Sequence, residues 1–179
     1  MALYLSEIVY ADDAGTPPLG ALAERVAEAG GALVEFLVSR VGRRVFVVAE
    51  VDGPDPLAAA LTAGLRPGDR VDASPVAVRL VGADLTELRA QTPAAGYLVE
   101  WDLPAELTMD EYLARKRANS AGYAEVPETR FLRTYVREDL AKCVCLYDAP
   151  DETYLRKARA AVDAPVDRLH ALGDSECPG

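Results

Sequence analysis

The chain has 179 residues, half of them hydrophobic, with 29 acidic and 19 basic side chains and a formal net charge of −10. That length can bury a sizeable core in one large domain or two small ones, and the acidic surface disfavours phosphate backbones and anionic headgroups, so nucleic acid and membrane surfaces are poor partners. Residues 1–9 lack a basic start, nothing approaches the roughly 18 consecutive apolar residues of a membrane span, and Cys143, Cys145 and Cys177 are too few for a disulfide framework; the expectation is a cytoplasmic protein with free thiols.

In chain order, Leu3 to Tyr10 reads as a strand. A helix follows from about Pro18 to Ala29, with Leu19, Leu22, Ala23 and Val26 at helical spacing, stopped by Gly30-Gly31. Ala32 to Arg40 and Arg44 to Val51 read as a hairpin turned by Val41-Gly42-Arg43. A short Ala-rich helix spans Leu57 to Leu65, a turn lies at Arg66-Pro67-Gly68-Asp69, and Pro75 to Val81 is a last strand. Residues 83–95 are a linker with one helical turn at Leu85 to Arg89.

The same order then repeats. Tyr97 to Leu103 is a strand, and Thr108 with Glu111 forms a capping box for a helix reaching about Ala121. Thr129 to Arg137 and Lys142 to Tyr147 are the second hairpin, Pro150-Asp151-Glu152 opens a helix to about Ala161, and Val166 to Leu172 closes the set before a tail at 174–179. Short echoes support a repeat: Tyr4-Leu5-Ser6-Glu7 with Tyr97-Leu98-Val99-Glu100, Phe36-Leu37 with Phe131-Leu132, and Val71-Asp72-Ala73-Ser74-Pro75-Val76 with Val162-Asp163-Ala164-Pro165-Val166. The expected fold is α+β: two tandem ferredoxin-like βαββαβ units, residues 1–82 and 96–173, packed as a pseudo-dimer like a dimeric α/β-barrel, with the ligand in the cleft between them.

The candidate chemistry lies in the second unit. Cys143, Cys145 and Tyr147 share one face of their strand. With Val144 and Leu146 turned to the helices, the thiols are expected to face the cleft as metal ligands or a reactive pair; the alternative is cysteine as a small buried hydrophobe. Arg133, Tyr135 and Arg137 alternate along the neighbouring strand, either to grip a carboxylate or phosphate or to protect a sheet edge. Glu100, expected beside the cysteines, is a candidate acid/base or an ion-pair partner. On the helix after Thr108, Tyr112, Arg115 or Lys116, and Asn119 share a face that either binds ligand or is solvated. The single histidine is His170, and no nucleophile elbow, Gly-rich phosphate loop or dinucleotide fingerprint is present.

The stretch from Tyr97-Leu98-Val99-Glu100 through Cys145-Leu146-Tyr147-Asp148-Ala149-Pro150-Asp151-Glu152 to Pro165-Val166-Asp167-Arg168-Leu169 resembles a bacterial family of small ferredoxin-like proteins with a nickel-binding, nickel-responsive member. The resemblance implies that fold, dimer-type sheet packing compatible with a homodimer, and a divalent transition metal such as nickel, with Cys145 at the position of the family's cysteine. The functional expectation is a protein that binds a small metabolite or a metal ion. The alternative is a cofactor-free cyclase, isomerase or oxygenase using Glu100 as acid/base with Arg133 or Arg137 as anion stabiliser.

Overall fold

The computed structural model describes residues 1–11, 15–90 and 93–173. Cys177 and the tail lie outside the described residues. The chain forms two compact units, one built mainly on Met1–Val78 and the other on Pro93–Ala171.

The first unit runs β1 (Ala2–Val9), α1 (Leu19–Glu28), β2 (Ala32–Val38), β3 (Arg44–Val51), α2 (Pro54–Gly64) and β4 (Arg70–Val81). Its strands lie in the order β2-β3-β1-β4, all neighbours antiparallel. The helix face of this sheet is apolar: Ile8, Phe36, Val45, Val47, Ala49 and Val51 pack with Leu22 and Val26 of α1 and Leu57 and Leu61 of α2. Burying such side chains contributes roughly 1.5–3 kcal/mol each. Helix α2 begins three residues before its apolar run because Pro54 sits in its first turn, where a missing N–H costs nothing. Strand β4 begins five residues earlier than Pro75, since Asp69 already ends the turn by accepting from the Ala11 N–H at 3.0 Å.

After α3 (Leu85–Ala90), the second unit runs β5 (Tyr97–Asp102), α4 (Met109–Asn119), a 3-10 turn (Ser120–Glu125), β6 (Arg130–Arg137), β7 (Lys142–Asp148), α5 (Glu152–Ala161) and β8 (Arg168–Ala171). Its strand order, β6-β7-β5-β8, has the same plan. The capping box is present: Thr108 Oγ1 accepts from the Glu111 N–H at 3.3 Å while Glu111 accepts from the Thr108 N–H at 2.9 Å. Asp151 caps α5 through the Tyr154 N–H at 3.0 Å.

The β1–β3 and β2–β3 registers superpose residue by residue on those of β5–β7 and β6–β7, whereas β1–β4 is shifted around Glu7 and β5–β8 is regular. Leu5 opposite Val48 corresponds to Leu98 opposite Leu146, and Glu7 opposite Phe46 to Glu100 opposite Val144. Even the bulge recurs, between Leu33 and Glu35 in β2 and between Phe131 and Arg133 in β6. Two of the sequence echoes are out of phase with this register. Phe36, opposite Val47, corresponds to Thr134, opposite Cys145, so Phe131 corresponds to Leu33. Likewise Val76, opposite Leu5, corresponds to His170, opposite Leu98. Short dipeptide matches carry less information than the ladder, which counts every residue. Among the described residues, no helix is long and apolar enough to cross a membrane.

Candidate functional site

Strand β7 decides the site. Cys143, Cys145 and Tyr147 face α4 and α5, packing with Val99, Trp101, Tyr112, Val136 and Leu155. The expectation that Val144 and Leu146 meet the helices is therefore inverted: they share the other sheet face with Leu98, Glu100, Arg133 and Tyr135. Both faces are buried, with Val144 and Leu146 at 0% exposure. Period-two alternation tells which residues share a face, and when both faces are buried it does not tell which one the helices cover.

Sulfur under the helices is accommodated by polar partners. The Thr134 hydroxyl donates to Cys145 Sγ at 3.1 Å, and Lys116 Nζ donates to Thr134 Oγ1 at 3.1 Å. Cys143 Sγ lies 3.7 Å from Cys145 Sγ, and Tyr112 packs in the same buried cluster as both thiols. The Tyr123 and Tyr147 hydroxyls are 2.9 Å apart, and Arg159 Nη1 donates to the Tyr147 hydroxyl at 3.1 Å while Nη2 donates to the Pro165 carbonyl. Lys116 Nζ sits 4.0 Å above the Phe131 ring.

These groups surround one pocket of about 30 Å³, lined by Trp101, Tyr112, Arg115, Lys116, Asn119, Tyr123, Cys145 and Arg159 with the Val162–Ala164 turn. That volume holds roughly two water-sized molecules. The outer wall is built by Arg115, which donates to the Asp163 carbonyl at 2.7 Å and to its carboxylate at 2.9 Å, and by Asn119, which donates to the Val162 carbonyl at 3.0 Å. Gly122 lets the 3-10 turn approach α5: a Cβ there would strike the Ala161 carbonyl.

The electrostatics separate the two thiols. Cys145 is pulled well below the ordinary thiol range, first by its hydrogen bond with Cys143, which outweighs burial, and further by Lys116, Arg159 and Thr134. Cys143 is pushed up by that same hydrogen bond and by burial, so the proton stays on Cys143. Burial pushes Tyr123 up to about 12 and raises Tyr112 and Tyr147 as well, with the Cys145 charge adding to each, so all three phenols stay protonated. Arg159 stays charged: burial works against it, and Cys145 and Tyr147 outweigh that. Its Nε is buried and has no hydrogen-bond partner among the described residues.

Of the sequence candidates, Tyr112, Lys116, Asn119 and Cys145 meet at the pocket, with Cys143 and Tyr147 directly behind. The solvated-face reading of α4 fails at Tyr112, which is 2% exposed. Glu100, Arg133 and Tyr135 lie across the sheet, Glu100 opposite Val144 rather than beside a cysteine side chain. Glu100 accepts from Lys142 Nζ at 2.6 Å, and its other oxygen lies 3.1 Å from Arg168 Nε and 2.9 Å from His170 Nε2. Burial alone would raise its pKa, but these three partners outweigh it and hold the carboxyl well below its usual range. Arg133 donates to the Pro93 carbonyl at 3.2 Å, and Arg137 pairs with Asp139 at 2.5 Å. Sequence reasoning missed Arg159, Thr134 and Trp101. Arg159 carried a readable signal: it interrupts the Leu155, Ala158, Val162 stripe, where a charge marks a buried partner.

The donors that the described residues bring together do not fit a nickel ion. Among the described residues no group of three or more His, Cys, Asp or Glu side chains could hold a metal. The thiols have two cations for neighbours, and His170 is on the opposite sheet face from them. Nickel favours imidazole and other nitrogen or oxygen ligands, and no imidazole lies on the thiol face among the described residues.

Residues 97–172, less than half of the chain, match the model of the family described as Nickel responsive protein SCO4226-like, the family resembled by the second half. No curated protein matches the chain. Among solved structures it is similar to the crystal structure of "Putative Chlorite dismutase TA0507", with 16% identity, a TM-score of 0.57, and coverage of 97% of this chain and 96% of that one. At that identity the likeness shows a mixed α/β fold with antiparallel ferredoxin-like sheet, and nothing about chemistry.

Proposed function

We propose that the protein binds a small anion, or the anionic end of a small molecule, in the pocket of its second unit. The observation that carries this reading is the Arg159 guanidinium in the pocket wall, whose buried Nε–H has no acceptor among the described residues. An unpaired buried donor costs about 1–3 kcal/mol, which an anion's oxygen would recover. Lys116 supplies a second positive charge, and the Tyr123 and Asn119 side chains offer further polar contacts. The family match over residues 97–172 supports a ligand-binding role in this half. Free thiols at Cys143 and Cys145 suit a reducing compartment such as the cytoplasm. The tandem pseudo-dimer remains part of the proposal, supported by the strand plan that the two units share. Acid/base chemistry at Glu100 is not part of it, because all three of its partners favour the charged form.

The second reading, nickel binding, rests on the family match alone. Calorimetry and thermal unfolding against formate, acetate, nitrite, sulfite and nickel chloride separate the two. The expected result is that a small anion stabilises the protein by about 2.7 kcal/mol at a hundredfold excess over its Kd, and that Arg159→Met and Lys116→Met each lose this gain. Stoichiometric nickel binding that depends on Cys143 and Cys145, with no anion bound, would overturn it.

A further inference from the structure

We propose that Cys145 is a hydroperoxide-reactive thiolate and that Cys143 captures its oxidised form as an intrastrand disulfide. The inference uses the same pocket as the reading above but needs no bound anion. It stands on the arrangement of the two sulfurs and the cations around them.

The scaffold does not need sulfur at these positions. The corresponding residues of the first unit are Val45 and Val47, which fill the same layer as plain hydrocarbon. In the second unit the position of Val47 holds a thiol at the pocket wall, and the position of Val45 holds a second thiol 3.7 Å behind it. The groups facing Cys145 are Tyr112 and Lys116 from α4, Tyr123 from the 3-10 turn, Thr134 from β6, Cys143 and Tyr147 from β7, and Arg159 from α5. The two cations and the Thr134 donor favour sulfur as thiolate, the nucleophilic form. A pocket of about 30 Å³ at the Cys145 wall is large enough for hydrogen peroxide.

The chemistry balances without a further reagent. The Cys145 thiolate attacks one peroxide oxygen, the S–O bond forms, and the O–O bond breaks. Hydroxide leaves beside Lys116 and Arg159 and takes a proton from solvent. Cys143 sulfur then attacks Cys145 sulfur, the S–S bond forms, and the S–O bond breaks. The hydroxyl leaves with the Cys143 proton as water. Two thiols and one peroxide thus give one disulfide and two waters, with two electrons passing from sulfur to peroxide. Residues two apart on a strand have Cα atoms about 6.6 Å apart, at the upper end of the disulfide range, and their parallel Cβ atoms are wider apart than a disulfide spans, so closing the bond bends the strand locally and leaves it strained and readily reduced by added thiol.

The test uses the full chain with Cys177→Ser, reduced and then mixed with hydrogen peroxide. The expected product has lost two hydrogens by intact mass, carries a Cys143–Cys145 disulfide by peptide mapping, and returns to dithiol with dithiothreitol. Its rate at neutral pH should exceed that of free cysteine by about tenfold or more. Cys143→Ser should stop at a Cys145 sulfenic acid that dimedone traps, and Lys116→Met should slow the first step by about tenfold. A folded protein whose Cys145 reacts no faster than free cysteine, or whose Cys143 is modified first, overturns the proposal. Anion titration of the same sample reads the preceding proposal separately: oxidation without anion binding leaves this one standing, and anion binding with an inert Cys145 leaves the other.

Discussion

The layer beneath the helices differs sharply between the two units, although the backbone does not. In the first unit Phe36, Val45, Val47 and Ala49 form a hydrocarbon layer. At the corresponding positions the second unit has Thr134, Cys143, Cys145 and Tyr147, tied to Lys116, Tyr123 and Arg159. Shared features are structural: the strand order, the β2/β6 bulge, and an acid on the first strand paired with a base at the start of the third, Glu7 with Arg44 and Glu100 with Lys142. One scaffold thus tolerates an apolar layer that only stabilises and a polar layer that can also react, provided that nearly every buried polar atom finds a partner.

The largest test of that division is Leu61→Ala in the first unit. It removes a fully buried side chain and should cost about 2–5 kcal/mol by chemical denaturation while leaving anion binding and Cys145 reactivity at wild-type levels. Next, Glu100→Gln should cost about 3 kcal/mol, because it leaves Lys142 and its neighbours without their countercharge. The pH dependence has a definite sign. The Glu100 carboxyl is held below its ordinary 4.5 in the folded state, so the unfolded chain takes up its proton first as the pH falls. Its contribution is fully present above about pH 4.5 and is lost progressively below it; the Gln variant should show a flatter acid limb in unfolding titrations.

Smaller effects sharpen the comparison. Tyr147→Phe removes the hydroxyl shared by Tyr123 and Arg159 and should cost about 1–3 kcal/mol in denaturant unfolding. The first unit has no counterpart to this loss, because Ala49 stands at the corresponding position. Thr108→Ala breaks the capping box of α4, with an expected loss of about 1 kcal/mol. Of similar size, Cys143→Val with Cys145→Val gives the second unit the residues of the first. The expected change is under about 1.5 kcal/mol in stability, with peroxide reactivity abolished; a large destabilisation would mean that the sulfurs are structural.

The legible part of the site was what lies along one element. The i, i+3, i+4, i+7 spacing of Tyr112, Arg115, Lys116 and Asn119 put these side chains on one helical face, and the alternation of Cys143, Cys145 and Tyr147 grouped them on one strand face. What stayed hidden was which of these faces meet. Thr134 reaches Cys145 only through the β6–β7 register, which a bulge shifts by one residue, and Arg159 reaches Tyr147 only because α5 lies over β7.

By itself the sequence determined the βαββαβ order in each half, the caps and turns, and the concentration of polar candidates in the second half, because helix and strand periods and turn chemistry are local properties of the chain. Only the tertiary structure decided that the thiols lie under the helices with Lys116 and Arg159, and that Glu100 lies across the sheet from them. That choice is made by the energetics of burial: with apolar side chains on both faces of β7, the side on which Cys145 settles is the one where Thr134, Lys116 and Arg159 can satisfy it.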